Sequence, residues 1–433
     1  MAWDFETDAE YQEKLDWVEQ FVTEDVEPLD YVLGHGADIR DPLWKELVPP
    51  LQQKVKDKGL WATHLGPELG GPGHGNVKLA LLNEILGRSR FGPVVFGCAA
   101  PDTGNMEVLA HYGTEEQKRR WLVPLMNGEI TSAFSMTEPQ GGADPLMIDT
   151  TAELDGDEWV INGEKWFTSN SRWADFLIVF AKTEFDKHRY QQSSIFLVPM
   201  DTPGVETVRD VRLGWDAEGE GSEGYLRYTN VRVPKENMLG ERGQAFVIAQ
   251  TRLGGGRVHH AMRTVGLVRR AFDMMCERSI SRETQGELLA KKQLVQEMIA
   301  DSWIEMEQYR LLVLRTAWRL DQCGSDYSKV RADISAVKAA MPKVLMNAAS
   351  RSLQVHGSLG VSTEMPFLEM VLNSFVMGLG DGPTEVHKIT LARQVVRGYN
   401  PSPDLFPSQH IPRLRQAARE RYADAIARHR SGQ

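Results

Sequence analysis

Cysteine is scarce in this sequence, with three among 433 residues. Cys98, Cys276 and Cys323 are far apart and odd in number, which excludes a disulfide framework or a thiolate metal site and suits unpaired thiols in a reducing cytosol. Long hydrophobic runs are missing too. The longest stretch without a charged residue is the twelve residues from Ser352 to Thr363, against about 20 for a membrane-spanning helix. Basic residues are outnumbered, 49 Lys and Arg against 60 Asp and Glu, and the net charge of −11 argues against nucleic-acid binding, whose footprint is basic. The N-terminus carries five acidic residues before Lys14. It lacks the basic, apolar start of a secretory signal and the Arg-rich, acid-poor character of a mitochondrial presequence. The C-terminal Arg430-Ser431-Gly432-Gln433 is not a peroxisomal address, so a cytoplasmic location is expected.

Several chemical signatures are absent as well. There is no Walker loop and no Gly-x-Ser-x-Gly elbow. His259 and His260 are adjacent, so on a helix they point apart and cannot form an i, i+4 zinc pair. No metal is expected. Gly378-Leu379-Gly380-Asp381-Gly382 follows a helical pattern and has the wrong spacing for a dinucleotide fingerprint, which excludes a Rossmann nicotinamide site.

What is present is an ordinary globular balance, 42% hydrophobic and 25% charged, in a chain long enough for about three domains. Residues 8 to 130 read as helices, one beginning near Thr7-Asp8 with Leu15, Val18, Phe21 and Val22 on one face, others over Val77 to Leu86 and Glu115 to Met126. A glycine-rich loop spans Leu69 to Gly75. From 132 to 240 the pattern turns to strands. Thr151 to Leu154 and Trp159 to Ile161 form a hairpin around Asp155-Gly156-Asp157. Phe176 to Phe180, Ile195 to Val198 and Leu226 to Val233 follow as further strands. From 243 to 398 the chain is helical again. Val295, Ile299, Trp303, Met306, Tyr309, Val313 and Ala317 make one apolar face, read as bundle core. A helix from Asp333 to Val355 is expected to kink at Pro342 and end at Gly357. A helices–strands–helices order excludes the doubly wound α/β folds, in which the two alternate.

Three clusters could carry chemistry. Phe134 to Asp144, with Met136, Thr137, Glu138, Pro139 and small residues through Ala143, could bring backbone amides close to a ligand. From the residues alone, a plain β-turn is the simpler reading. Asn162 to Asn170 begins with the turn signal Asn-Gly. Its Trp166, Phe167, Thr168 and Ser169 could stack on a flat ring and hydrogen-bond its edge, or be strand core. Gly378 to His387 places Asp381 between glycines at a helix entrance, as a general base or as an ordinary N-cap.

In combination the clusters resemble the acyl-CoA dehydrogenase family. Phe134 to Asp144 is similar to its Thr-Glu-Pro signature, and Asn162 to Ser169 to its flavin-wall segment. Arg282 to Gly286 with Gln293 is similar to its Arg-x-x-Phe-Gly segment and downstream Gln, and Gln354 to Ser358 to its Gln-x-x-Gly-Gly segment. Ala100 to Glu107, Gly256 to His260 and Asp381 to His387 look like the subgroup fused in animals to a kinase-like domain, in which an aspartate stands at the catalytic base position. No such domain is present in these 433 residues.

The resemblance implies an α+β, mainly α fold. It divides the chain into an N-terminal helical domain (1–131), a middle β-barrel (132–241), a C-terminal four-helix bundle (242–400) and a tail (401–433). It implies a homodimer or homotetramer that binds FAD. The reaction would be α,β-dehydrogenation of an acyl-CoA to trans-2-enoyl-CoA, with electrons passed to an electron-transfer flavoprotein. By the same resemblance Asp381 is the base, and Arg257, Ala143 and Gly382 line the substrate. Phe134, Met136, Thr137, Ala143, Phe167, Thr168 and Ser169 meet the flavin. Arg282, Gln293, Gln354, Gly357, Ser358 and Glu385 hold the rest of FAD, partly from a neighbouring subunit. Ala143 stands where many relatives have serine, and Gln285 where they have phenylalanine. Two other readings share the fold: a flavin oxidase of nitroalkane or acyl-CoA type, and a non-catalytic flavoprotein that binds nucleic acid, which the net charge disfavours.

Overall fold

Asp8 opens the first helix, accepting a hydrogen bond from the Tyr11 amide at 2.9 Å, so that one of the amides a helix start leaves free finds a partner. This is seen in a computed structural model that describes residues 7–34 and 39–431. Met1–Glu6, Gly432 and Gln433, on which the reading of cellular address partly rests, lie outside them. Helix α1 (Ala9–Phe21) buries Tyr11, Leu15, Val18 and Phe21. Helix α2 (Pro42–Asp57) holds prolines at 42, 49 and 50, and the helical pattern is hidden by them. Pro42 sits in the first turn, where no amide bond is lost. Helices α3 (Asn76–Leu86) and α4 (Asp102–Tyr112) follow, and the expected helical stretch, from Glu115 to Asn127, ends the N-terminal block.

The middle block is a sheet of β1 (Ser132–Ser135), β2 (Thr151–Asp155), β3 (Glu158–Ser169), β4 (Phe176–Lys182), β5 (Ser193–Pro199), β6 (Val205–Val211), β7 (Glu223–Pro234) and β8 (Met238–Leu239). Its order is β6-β7-β3-β2-β4-β5-β8, with β1 parallel to β4. β2 and β3 form the expected hairpin, with Asp155 opposite Glu158 and Gly156 at φ 65° in the turn. The sheet curls strongly. Trp159 on β3 and Phe196 on β5 lie three strands apart, about 14 Å in a flat sheet, yet their ring centroids are 5.2 Å apart. Residues from β1 to β7 therefore meet in one apolar cluster.

Asn162-Gly163, a turn signal in sequence, lies inside β3. The register against β7 shifts there, and Gly163 adopts φ 149° with Thr150 so close that a Cβ would fall 2.4 Å from its hydroxyl. The glycine serves a bulge and a close crossing. A second shift between Lys165 and Thr168 puts Phe167 at φ 54°.

The loop after β1 is tied to β3 by a buried ion pair. Lys165 Nζ lies 2.8 Å from Glu138 Oε1, with both side chains excluded from solvent. Lys165 also donates to the Met136 carbonyl, and Glu138 accepts from the amides of Asp149 and Thr150. Burial opposes the charge on Glu138, but Lys165, Thr150 and Asp149 outweigh it and hold the carboxyl below its usual range. Burial brings the Lys165 ammonium down to about 8.

The C-terminal block comprises α5 (Ala245–Ser281), α6 (Gln293–Gln322), α7 (Arg331–His356), α8 (Phe367–Leu379) and α9 (Thr384–Val396). Helix α7 packs against the other four. It continues across Pro342 and ends at Gly357, φ 66°. The stripe on α6 is core only in part. Met306, Tyr309, Val313 and Ala317 are buried, whereas Trp303 is 48% exposed, because the N-terminal half of α6 runs beyond the tightest packing. Among the described residues, no helix is long and apolar enough to cross a membrane.

Glu138→Gln would leave a buried ammonium without its counter-charge, a loss of about 3–5 kcal/mol. Urea unfolding should show that loss, and the pair Glu138→Leu with Lys165→Met should recover most of it. An unchanged midpoint for the single variant would refute this account.

Candidate active site

One cavity of about 1690 Å³ opens where the sheet, the loop after β1, α5 and α7–α9 meet. The sheet side contributes Phe134, Met136, Thr137, Ala143, Phe167 and Ser169. The bulge in β3 turns the Phe167 ring outward, 41% exposed, and the Trp166 amide donates to the Thr137 carbonyl at 2.8 Å, joining loop to strand. Ser169 donates to Glu223 Oε2 at 2.6 Å. Thr168, the intervening residue, faces the other way. It is buried against the Ser135 hydroxyl at 3.3 Å and does not line the cavity.

The helix side contributes Arg257, Asp381 and Gly382. Asp381 is not an N-cap, because the cap of α9 is Pro383. Asp381 and Gly382 are both left-handed, at φ 55° and 105°, a conformation that Asp tolerates better than most residues. Arg257 Nε donates to the Asp381 carbonyl at 2.8 Å, and His387 Nε2 lies 3.3 Å from the same oxygen. The carboxylate itself is left open. Arg252 is 4.0 Å from one oxygen and His260 3.8 Å from the other, and neither oxygen accepts a hydrogen bond among the described residues. Gly256 makes room for it, since a Cβ there would fall 2.8 Å from Asp381 Oδ2.

Arg252 links the two sides and was not singled out in the sequence. It lies over the Phe134 ring, 4.1 Å from its centroid, and its Nε donates to Asn105 at 2.9 Å. The signal was there: residues 252, 256 and 260 recur every four residues, so one face of α5 meets Asp381. Other missed residues are Glu107, Tyr327 and Lys338, also in the lining. Burial raises Glu107 to about 8, against a hydrogen bond from Tyr327 and the charge of Arg252. Burial lowers Lys338 to about 8, and Lys338 donates to the Met377 carbonyl. Burial holds His260 and His387 near 4, hence neutral at pH 7.

Arg282, Gln293, Gln354, Gly357, Ser358 and Glu385 are exposed and outside this wall. Arg282 lies beyond the C-terminus of α5, 22 residues or about 33 Å of helix from His260. Of the residues to which the resemblance gives a role, the cavity of a single chain therefore gathers nine and leaves these aside, together with Thr168. His259 and His260 diverge as expected, His259 toward His64 with ring centroids 6.0 Å apart, His260 toward Asp381. Among the described residues, no group of three His, Cys, Asp or Glu is placed to hold a metal ion. The cysteines are unpaired; Cys98 is buried, with its thiol pushed up to about 11, and the other two are half-buried.

Comparison with known proteins shows the family. The profiles of the acyl-CoA dehydrogenase N-terminal, middle and C-terminal domains match residues 8–129, 133–231 and 243–396. FadE2 of Mycobacterium tuberculosis, named as an acyl-CoA dehydrogenase, is 44% identical over 80% of this chain and 85% of its own length. Mouse acyl-CoA dehydrogenase family member 11 is 39% identical over 88% of this chain, which spans 50% of that protein. A solved structure assigned as an acyl-CoA dehydrogenase, from Mycobacterium abscessus, superposes with a TM-score of 0.84 at 38% identity, covering 91% of this chain and all of that one. The chain belongs to the acyl-CoA dehydrogenase family and is an enzyme of that class.

Glu107 makes stability depend on pH. Its folded value, about 8, lies above the ordinary 4.5, so its contribution is full below about pH 4.5 and is lost as pH rises through about 8. Glu107→Gln, which stays neutral, should match wild type near pH 5. It should be the more stable protein above pH 8, by a few kcal/mol at about 1.4 kcal/mol per pH unit. Parallel melting-temperature profiles across this range would contradict it.

Proposed function

We propose that the protein is a FAD-dependent acyl-CoA dehydrogenase that forms a trans-2-enoyl-CoA and passes electrons to an electron-transfer flavoprotein. The reading rests on one observation: the open carboxylate of Asp381 shares a cavity with the outward Phe167 ring and the Ser169 hydroxyl. The volume of about 1690 Å³ exceeds the roughly 300–1,000 Å³ of a one-ligand pocket, which suits a flavin ring and an acyl chain together. The residues fit the ring. Phe167 and Met136 offer apolar contact, Thr137 and Ser169 offer hydroxyls, and Gly141, Gly142 and Ala143 expose backbone.

FAD, when bound, supplies the acceptor for two electrons. The protein's own residues do the rest. Asp381 takes the α-proton, and both of its oxygens are free to do so. Arg257 fixes the backbone that carries it, which confines the carboxylate to this wall of the cavity. Arg252 and His260 flank it without occupying its lone pairs. Leu79, Leu213, Met341, Val376 and Leu379 make the cavity apolar and keep water from the reacting bond. An α-proton of a thioester is acidic enough only when donors meet the carbonyl oxygen as charge develops.

In the same reading, Arg282, Gln293, Gln354, Gly357, Ser358 and Glu385 hold the adenine and diphosphate half of FAD in a neighbouring copy, within a homodimer or homotetramer. Their exposure, outside their own chain's cavity, supports that role. The chain divides at 131/132, 241/242 and 400/401, and the setting is cytoplasmic.

The purified protein should be yellow and should bleach anaerobically with some member of an acyl-CoA panel varied in length and branching. Asp381→Asn should bind the thioester and bleach at least about 10³-fold more slowly, as expected for loss of a general base. If no acyl-CoA bleaches the wild type, the reading is wrong. Rapid turnover in air with peroxide formed would make it an oxidase. Gly256→Ala, which pushes on the Asp381 carboxylate, should keep FAD and lose about 10²-fold in rate. An unchanged rate would show that the carboxylate is not confined as described.

A further inference from the structure

Glu223 has no part in the reaction outlined above, yet it is built into the cavity wall. It stands opposite Ser169 in the β3–β7 register and opposite Val211 of β6. It is 9% exposed, and its carboxylate accepts the Ser169 hydroxyl at 2.6 Å. Both residues line the cavity. A serine hydroxyl has one proton and two lone pairs. If its proton is committed to a carboxylate, toward the cavity it can only accept. If that carboxylate were replaced by a donor, the serine proton would turn to the cavity instead.

We propose that Glu223 is a positioning residue that orients the Ser169 hydroxyl and thereby raises the reduction potential of the bound flavin. This rests on the reading above, in which Ser169 faces the flavin ring edge near N5. The oxidised ring presents a lone pair at N5, and the two-electron reduced ring presents an N–H. A Ser169 oxygen whose proton points to Glu223 accepts from that N–H and so stabilises the reduced form. With the proton turned inward it would stabilise the oxidised form.

The sign separates this from simple electrostatics. A bare carboxylate close to a flavin disfavours the arrival of electrons, so removing its charge raises the potential. Removing Glu223 as the acceptor for Ser169 lowers it. Asp216, in the loop before β7, bears on Glu223 and repels it; burial and Asp216 push its carboxyl upward, against hydrogen bonds from Ser169 and Ser222. The comparison is therefore made in alkaline buffer, where the carboxylate is ionised.

The test is the midpoint potential of FAD-loaded wild type, Glu223→Leu, Ser169→Ala and the double variant, by anaerobic dye equilibration. Glu223→Leu is close in volume and carries neither donor nor acceptor, so nothing at that position takes the Ser169 proton. It should lower the potential, by roughly a tenfold change in the reduction equilibrium or about 30 mV for two electrons, and should not lower it in the Ser169→Ala background, where only the loss of charge remains. A rise in both backgrounds, or no shift in either, overturns the proposal. No shift for Ser169→Ala alone also overturns it, by removing Ser169 from the ring edge, while bleaching by acyl-CoA leaves the dehydrogenase reading standing. Wild-type protein that takes up no flavin overturns both.

Discussion

The buried pair of Glu138 and Lys165 is the constraint on which the site is built. Neither charge reaches water, so each must be met inside the protein, and the cost of leaving either alone exceeds the cost of holding the loop in place. The loop after β1 therefore cannot leave β3. Everything that loop carries, from Met136 to Ala143, is set against the strand that carries Phe167 and Ser169. An apolar pair could glue the same surfaces, but it would not specify register. The Lys165 ammonium has to find one carbonyl and one carboxylate, and the Glu138 oxygens have to find two amides.

The opposite wall is fixed by a different kind of constraint, a close backbone approach. Helix α5 presents Arg252, Gly256 and His260 on one face, and Gly256 is the gap into which the Asp381 carboxylate fits. Arg257, on the adjoining face, holds the Asp381 carbonyl. The aspartate is thus placed by its main chain while its side chain is left with free lone pairs. An aspartate is one methylene shorter than a glutamate. A left-handed pair at Asp381 and Gly382, drawn against a glycine on α5, is how this fold brings the short side chain to the cavity.

Much of this was legible from the chain alone. Short apolar runs located β4 and β5, partial alternation located β7, and the turn at Asp155-Gly156 located the β2–β3 hairpin. The three clusters, picked out because small residues, paired aromatics and a glycine-flanked carboxylate are unusual in series, come to line one cavity. What was missed has a physical reason in each instance. Helix α2 was hidden by its prolines, of which Pro42 lies in the first turn and Pro49 and Pro50 lie inside the helix. Asn162-Gly163 was misread because the dipeptide that makes a turn also makes a bulge, and only the neighbouring strand decides between them. The outer half of the α6 stripe was taken for core because periodicity reports a face and not what covers it.

The sequence by itself determined the order of helices, sheet and helices and the membership of a family, and it offered Asp381 as the candidate carboxylate, since each depends on local pattern or on residues contiguous in the chain. Only the tertiary structure decided that Arg252 bridges Phe134 and Asp381, that Glu107 and Tyr327 lie in the same cavity, and that Ser169 gives its proton to Glu223. Those pairs are separated by tens to hundreds of residues, and a contact of that kind follows from the register of strands and the facing of helices, which no local pattern encodes.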